Sequence, residues 1–238
     1  MKIKAILFDL DGTLLPMDQD IFIKAYLSGL VKVLAPKGYQ PEAVATALWT
    51  STGAMFKNDG KKRNEEVFWE SFSAILGDSV RDEEENLRVF YNTDFQKIGG
   101  LMGYSAVSKE IIELLKSKGI TVVLATNPLF PAVATESRIR WAGLSPEDFA
   151  LYTTYENSRF CKPNLNYYTE IFEKMSLDPE ECLMVGNDVG EDMIASKLGA
   201  DCYLVTDCLI NKSGEDINNY KHGDLSALYD YLKEIINE

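Results

Sequence analysis

Asp9 and Asp11 flank Leu10 in the run DLDGT, and this spacing is the first place where the chain offers chemistry. On an extended segment, residues two apart project from the same face, so both carboxylates point one way. Carboxylates held that close repel each other unless a cation sits between them. A hard divalent ion with oxygen ligands answers that need, and magnesium takes few protein ligands because it keeps several waters. Gly12 permits a tight turn after the pair, and Thr13 can bond back to the loop backbone. Taken alone, the run also fits a simple turn at a strand end.

A second acidic pair, Asp188 and Asp192, lies four apart in GNDVGEDM beside Asn187 and Glu191. If a helix starts near Val189 or Gly190, both carboxylates share its first turn. Helix capping would account for one such acid. It accounts less readily for an amide and three acids together. A cation to offset this charge is available in Lys162, whose local backbone is restricted by Pro163. The third polar strand end is Thr126-Asn127.

The elements that must position these residues follow from the apolar pattern. Short buried-strand runs cover Ile3 to Phe8, Ile120 to Ala125, Cys182 to Val185 and Asp201 to Val205, each ending in polar residues. Helical patterns lie between them in KEIIELLKSKG, NYYTEIFEKMSL and EDMIASKLGA. Strand alternating with helix predicts an α/β fold with a doubly wound parallel sheet, whose ligands sit beyond the carboxyl ends of the strands. Residues 16–97 break the alternation with four amphipathic helical stretches, beginning IFIKAYL, PEAVATA, NEEVFWE and VRDEEEN. This predicts a core of residues 1–15 and 98–238 interrupted by an all-helical insertion.

Composition narrows the function classes. Hydrophobic residues make up 46% and charged residues 26%, as expected of an ordered globular chain. A net charge of -13 repels nucleic-acid backbones and argues against a polymer-binding role. The N-terminal MKIKAILFDLDG does not resemble a secretory signal, and no apolar run approaches the roughly 20 residues that cross a bilayer. The expectation is a cytoplasmic protein with no membrane partner. Cys161, Cys182, Cys202 and Cys208 form no CxxC pair, which argues against zinc and for reduced thiols. The sole histidine, His222, sits in NNYKHGD with no nucleophile nearby, which excludes serine-hydrolase chemistry.

Together, DLDGT at 9–13, Thr126 in LATN, Lys162 in CKPN and the GND-x3-D run at 186–192 resemble the four motifs of the haloacid dehalogenase superfamily, in its order and spacing. Asn187 stands where many members carry an aspartate, and Asn164-Leu165 replace the commoner Asp-Pro. The resemblance implies a Rossmann-like core, with the insertion as a class I helical cap that excludes bulk water and selects substrate. It implies a magnesium-dependent phosphatase acting on a small phosphorylated metabolite. In that scheme Asp9 is the nucleophile, and Asp11 protonates the leaving oxygen and then activates water. Magnesium would be held by the Asp9 carboxylate, the Asp11 carbonyl and Asp188. Thr126, Lys162 and the backbone amides near Leu10 and Asn127 would bind phosphoryl oxygens. Thr13, Asn187 and Asp192 would support them, Asp192 bracing the metal's waters or Lys162. A phosphosugar mutase shares the four motifs, and a non-catalytic binding module would be expected to lack one. The basic run at 57–63 (KNDGKKR) is either a solvated loop or a reader of a second anionic group.

Overall fold

Along β1 (Ala5–Phe8), Ile6 and Phe8 belong to one hydrophobic cluster while Ala5 and Leu7 belong to another. Alternation therefore buries both faces of the strand, as a central parallel strand requires. The computed structural model, which describes residues 3–237, places β1 in a six-stranded, all-parallel sheet. The partners are β2 (Thr121–Leu124), β3 (Leu151–Tyr152), β4 (Cys182–Gly186), β5 (Asp201–Val205) and β6 (Lys221–Gly223), in the order β3-β2-β1-β4-β5-β6. One face is covered by helices at 106–117 and 225–237, which supply Ile111 and Leu228. The other is covered by the helix at 165–175, which supplies Tyr167, Tyr168 and Ile171. This is the doubly wound Rossmann-like arrangement.

Register aligns the functional strand ends. Phe8 lies opposite both Leu124 and Val185. Two further hydrogen bonds, Ala125 N to Phe8 O at 2.7 Å and Asp9 N to Val185 O at 2.9 Å, carry the ladder one residue past the strands. Asp9, Thr126 and Asn187 consequently emerge side by side at the carboxyl edge.

Between β1 and β2 the chain forms six α-helices: α1 (Gln19–Leu34), α2 (Pro41–Phe56), α3 (Asn64–Leu76), α4 (Glu84–Asn92) and α5 (Asp94–Ile98), which make up the insertion, and α6 (Ala106–Ser117), which packs on the sheet. Asp18 caps α1 by accepting the amides of Asp20 and Ile21 at 2.9 and 3.1 Å. The single helical pattern read at 80–95 is instead divided into a 3₁₀ turn over 78–83, α4 and α5, with the break at Thr93. There Thr93 Oγ1 donates to Val89 O at 2.7 Å and Gln96 Nε2 to Tyr91 O at 2.6 Å, local bonds that compete with the helical ladder.

Three further expectations are corrected. The stretch EDMIASKLGA forms no α-helix: turns run through 188–192 and a 3₁₀ helix spans Met193–Leu198. Asp188 Oδ1 accepts the amides of Gly190 and Glu191 as a cap does, Asp192 Oδ2 accepts the amide of Asp188, and Asp188 O accepts the amide of Asp192 at 2.9 Å; beyond this one turn the bonds shorten to the 3₁₀ type, Ala195 N donating to Asp192 O at 3.2 Å. The two edge strands β3 and β6 escape the apolar pattern, being two and three residues long with no fully buried position. The Thr13 hydroxyl bonds to side chains and not to the loop backbone.

Candidate active site

The nucleophile candidate Asp9 lies one residue beyond β1 and is 8% exposed. Its Oδ1 accepts from Lys162 Nζ at 2.9 Å, and its Oδ2 stands 3.3 Å from the Thr13 hydroxyl. That hydroxyl also reaches Asn187 Oδ1 at 3.0 Å, and Asn187 Nδ2 donates to Cys208 O at 2.6 Å. Gly12, at φ +89°, lets the loop double back, and a Cβ there would collide with the Asn187 amide. Thr13 N and Leu15 N both donate to Leu10 O, closing a tight loop around the buried Leu10.

Lys162 is 1% exposed, and its ammonium lies between two carboxylates, Asp9 and Asp192 Oδ1, the latter at 2.6 Å. Burial alone would push the lysine down, but Asp192 and Asp9 outweigh it and hold the ammonium well above the usual lysine range. Burial pushes the Asp192 carboxyl up, with Lys162 and the Asp188 amide opposing. Of the two roles read for Asp192, its position is against Lys162.

Thr126 is buried under the same edge, and its carbonyl accepts from Thr153 Oγ1 at 2.6 Å and Tyr167 OH at 2.8 Å. Asn127 Nδ2 donates to Glu191 Oε2 at 2.9 Å, while Asn127 Oδ1 is buried with no partner. Tyr168 OH donates to Glu191 O at 2.8 Å, so the helix behind Lys162 also braces the 188–192 turn.

Asp11 has a partner the sequence reading missed. Arg138, on α7 (Ala132–Trp141), is 1% exposed and donates Nη1 to Asp11 Oδ2. Its Nη2 donates to Thr135 Oγ1 at 3.2 Å, and its guanidinium lies 4.5 Å from the centre of the Phe130 ring. Asp11 Oδ1 is buried without a hydrogen-bond partner. Burial pushes the Asp11 carboxyl up, Arg138 pulls it down in part, and Asp9 pushes it further up. No pattern in SRIRW distinguishes Arg138 from a solvated arginine, because a charged residue on an amphipathic helix normally faces water.

The donors near the edge fit a hard cation. Asp9, Asp11, Asp188, Glu191 and Asp192 border one cavity together with Thr126, Asn127 and Asn187. Every available ligand atom in that set is oxygen or amide, with no imidazole or thiolate. Two of its oxygens, Asp11 Oδ1 and Asn127 Oδ1, are buried and unpaired. Among the described residues no three His, Cys, Asp or Glu side chains converge into a self-sufficient metal cluster. An ion held by two carboxylates, a carbonyl and waters suits magnesium rather than a metal that wants a complete protein cage.

The helical insertion closes over this edge. The Asn64 and Glu65 amides at the start of α3 donate to Ser158 O and Tyr155 O, both at 2.9 Å, and Asn64 Nδ2 reaches Cys161 Sγ at 3.3 Å beside Lys162. Within the basic run, Lys61 pairs with Asp59 and Lys62 with Glu70 on the surface, and neither lines the cavity. His222 lies on edge strand β6, away from the cavity lining. Among the described residues, no helix is long and apolar enough to cross a membrane.

A parallel sheet with acids on the carboxyl ends of β1 and β4, and a buried lysine between them, defines a Rossmann-like enzyme core built around a carboxylate. The chain belongs to the haloacid dehalogenase-like hydrolases: that family's profile matches residues 3–198. It is 25% identical to the pyrophosphatase PpaX of Bacillus cereus over 190 residues, 79% of this chain and 76% of the relative. Among solved structures it resembles the HAD-hydrolase YfnB of Bacillus subtilis, bound to magnesium, with TM-score 0.59 at 21% identity over 98% and 100% of the two chains. It also resembles the 2-haloacid dehalogenase of Pseudomonas syringae, with TM-score 0.64 at 21% identity over 98% and 99%. At such identities the structural likenesses establish the fold.

Proposed function

We propose that the protein is a magnesium-dependent phosphatase that hydrolyses a small organic phosphate monoester through a phosphoaspartyl intermediate on Asp9. The observation that carries this reading is the buried Lys162 clamped between Asp9 and Asp192. It places one fixed positive charge beside a carboxylate at the point where a phosphate would bring negative charge. Asp9 attacks phosphorus as the bond to the leaving oxygen breaks, and Asp11 supplies the proton that oxygen requires. Water then attacks the phosphoaspartyl phosphorus, Asp11 takes its proton, and phosphate leaves with Asp9 restored. Lys162, the Thr126 hydroxyl and backbone amides near Leu10 and Asn127 hold the phosphoryl oxygens as charge redistributes. Thr13 and Asn187 hold the Asp9 loop, and Asp192 holds Lys162.

The Asp9 carboxylate, the Asp11 carbonyl and Asp188 would hold magnesium, which would offset the acidic edge and polarise the phosphoryl group. Residues 16–97 serve as a cap that keeps bulk water out. The presence of Asp11 favours phosphoryl transfer over dehalogenation, since a dehalogenase has no leaving oxygen to protonate. Four free cysteines accord with residence in the reducing cytoplasm.

Phosphate release from a panel of alkyl phosphates, with and without magnesium, tests the assignment. Asp9→Asn should lower kcat by more than about 10³-fold, as removal of a nucleophile does, with its circular dichroism unchanged. Chelation should abolish turnover and added magnesium should restore it. Full activity in Asp9→Asn would overturn the reading.

A further inference from the structure

The cavity that begins at Asp9 and Asp11 extends under the helical insertion to a volume of about 500 Å³, ample for a substrate larger than phosphate itself. Its far walls are aromatic: Phe22 and Tyr26 from α1, Phe68 and Trp69 from α3, Phe130 from the loop after β2, and Tyr155. Their polar tips are largely used elsewhere. The Tyr26 and Tyr91 hydroxyls bond to each other at 2.7 Å, and burial pushes Tyr26 up to about 12. These two hydroxyls are therefore committed to each other and keep their protons. At the lining, Trp49 and Phe56 of α2 remain 51% and 42% exposed, where large aromatics gain from covering apolar surface.

The charges that the cap adds to the lining are acidic on balance. The cap contributes Glu65 and Glu84 to the lining. Arg88 and Lys212 are the cations among the described lining residues, and Arg88 is already bonded twice to Glu85 at 2.8 and 2.9 Å. A carboxylate or second phosphate placed against Glu65 and Glu84 would meet like charge.

Resting on the phosphatase reading, we propose that the substrate is the phosphate monoester of an apolar alcohol, an arylalkyl or medium-chain alkyl body carrying a single phosphate. The aromatic walls hold the body, and the acidic cap face excludes molecules charged at both ends.

The test compares substrates whose leaving groups are all primary alkoxides, so that body recognition is isolated from leaving-group reactivity. Hexyl phosphate and 2-naphthylethyl phosphate are set against ethyl phosphate, phosphoglycolate and glycerol 3-phosphate. Each buried methylene is worth a factor of about four in binding, so hexyl phosphate should exceed ethyl phosphate in kcat/KM by at least about 30-fold after allowance for partial burial. A flat series, or a preference for phosphoglycolate or glycerol 3-phosphate, would overturn the proposal while leaving the phosphatase reading intact. Binding is read independently by quenching of tryptophan fluorescence with naphthylethyl phosphonate, since Trp49 and Trp69 line the cavity. Saturable quenching, weakened about fivefold or more in Trp49→Ala, supports the proposal even if no phosphate ester is hydrolysed; that pairing would fault the catalytic assignment alone. If the phosphonate fails to bind the wild-type protein, the proposal fails. Phe56→Ala provides a second rim variant should Trp49→Ala fold poorly, and it should weaken binding in the same direction.

Discussion

At the scale of single residues, the site consists of charges that cannot be removed one at a time. Arg138 is almost wholly buried and its Nη1 is committed to Asp11. In Arg138→Met the Asp11 carboxylate would keep its buried position and lose its partner. The expected loss is about 3 kcal/mol of stability, the lower end of the range for breaking a buried pair, because Asp11 retains some solvent contact. Urea unfolding measures this, and the double variant Arg138→Met/Asp11→Asn should recover part of the loss. A single variant as stable as wild type would mean that the pair contributes nothing to the fold. Lys162 is bound by the same logic, with the difference that its two carboxylate neighbours would then repel each other directly.

At the scale of elements, the end of β4 and the turn that follows it approach so closely that side-chain volume is rationed. A Cβ on Gly186, the last residue of β4, would overlap the carboxylate of Asp192. Gly186→Ala must therefore displace Asp192 from Lys162 or push β4 away from the turn. Either movement is of order 1 Å, and misplacement of that size can cost about 10²-fold in rate. Steady-state kinetics should show a fall in kcat of that order with the fold preserved. Unchanged kcat would show that Lys162 does not need Asp192 to hold its position. The 188–192 turn is closed from within, with the Asp188 and Asp192 carboxylates serving as local acceptors for its amides. On the other side of the cavity, α3 is anchored through Asn64 to the strand-to-helix loop that carries Lys162, so the cap and the lysine share one structural support.

At the scale of the whole molecule, a net charge of -13 acts on any anionic substrate before it reaches the cavity. Like-charge repulsion at long range slows encounter, and salt screens it over a Debye length of about 10 Å at 0.1 M. Raising ionic strength from about 0.02 to 0.3 M at fixed free magnesium should therefore raise kcat/KM for a phosphate dianion by about twofold or more. A decrease would show that local cations, and not the global charge, govern capture.

Much of this protein is legible in its linear order, for reasons that lie within a few residues. The alternating burial of Ile6 and Phe8 against Ala5 and Leu7 is a local consequence of apolar runs, and it suffices to place a central parallel strand. DLDGT and GND-x3-D concentrate acids at strand ends, where the backbone already forces them to converge. The short edge strands β3 and β6 are not legible, because a strand buried on one side only needs no apolar run. The stretch EDMIASKLGA reads as an α-helix because a 3₁₀ helix carries much the same apolar spacing, and its packing against β4, β5 and the helix at 165–175 decides between the two. Arg138 and the aromatic cavity were decided only by the tertiary structure. A buried arginine and a solvated one look alike in a helix, and ring walls drawn from α1, α3 and the loop after β2 meet only when the insertion folds back over the sheet.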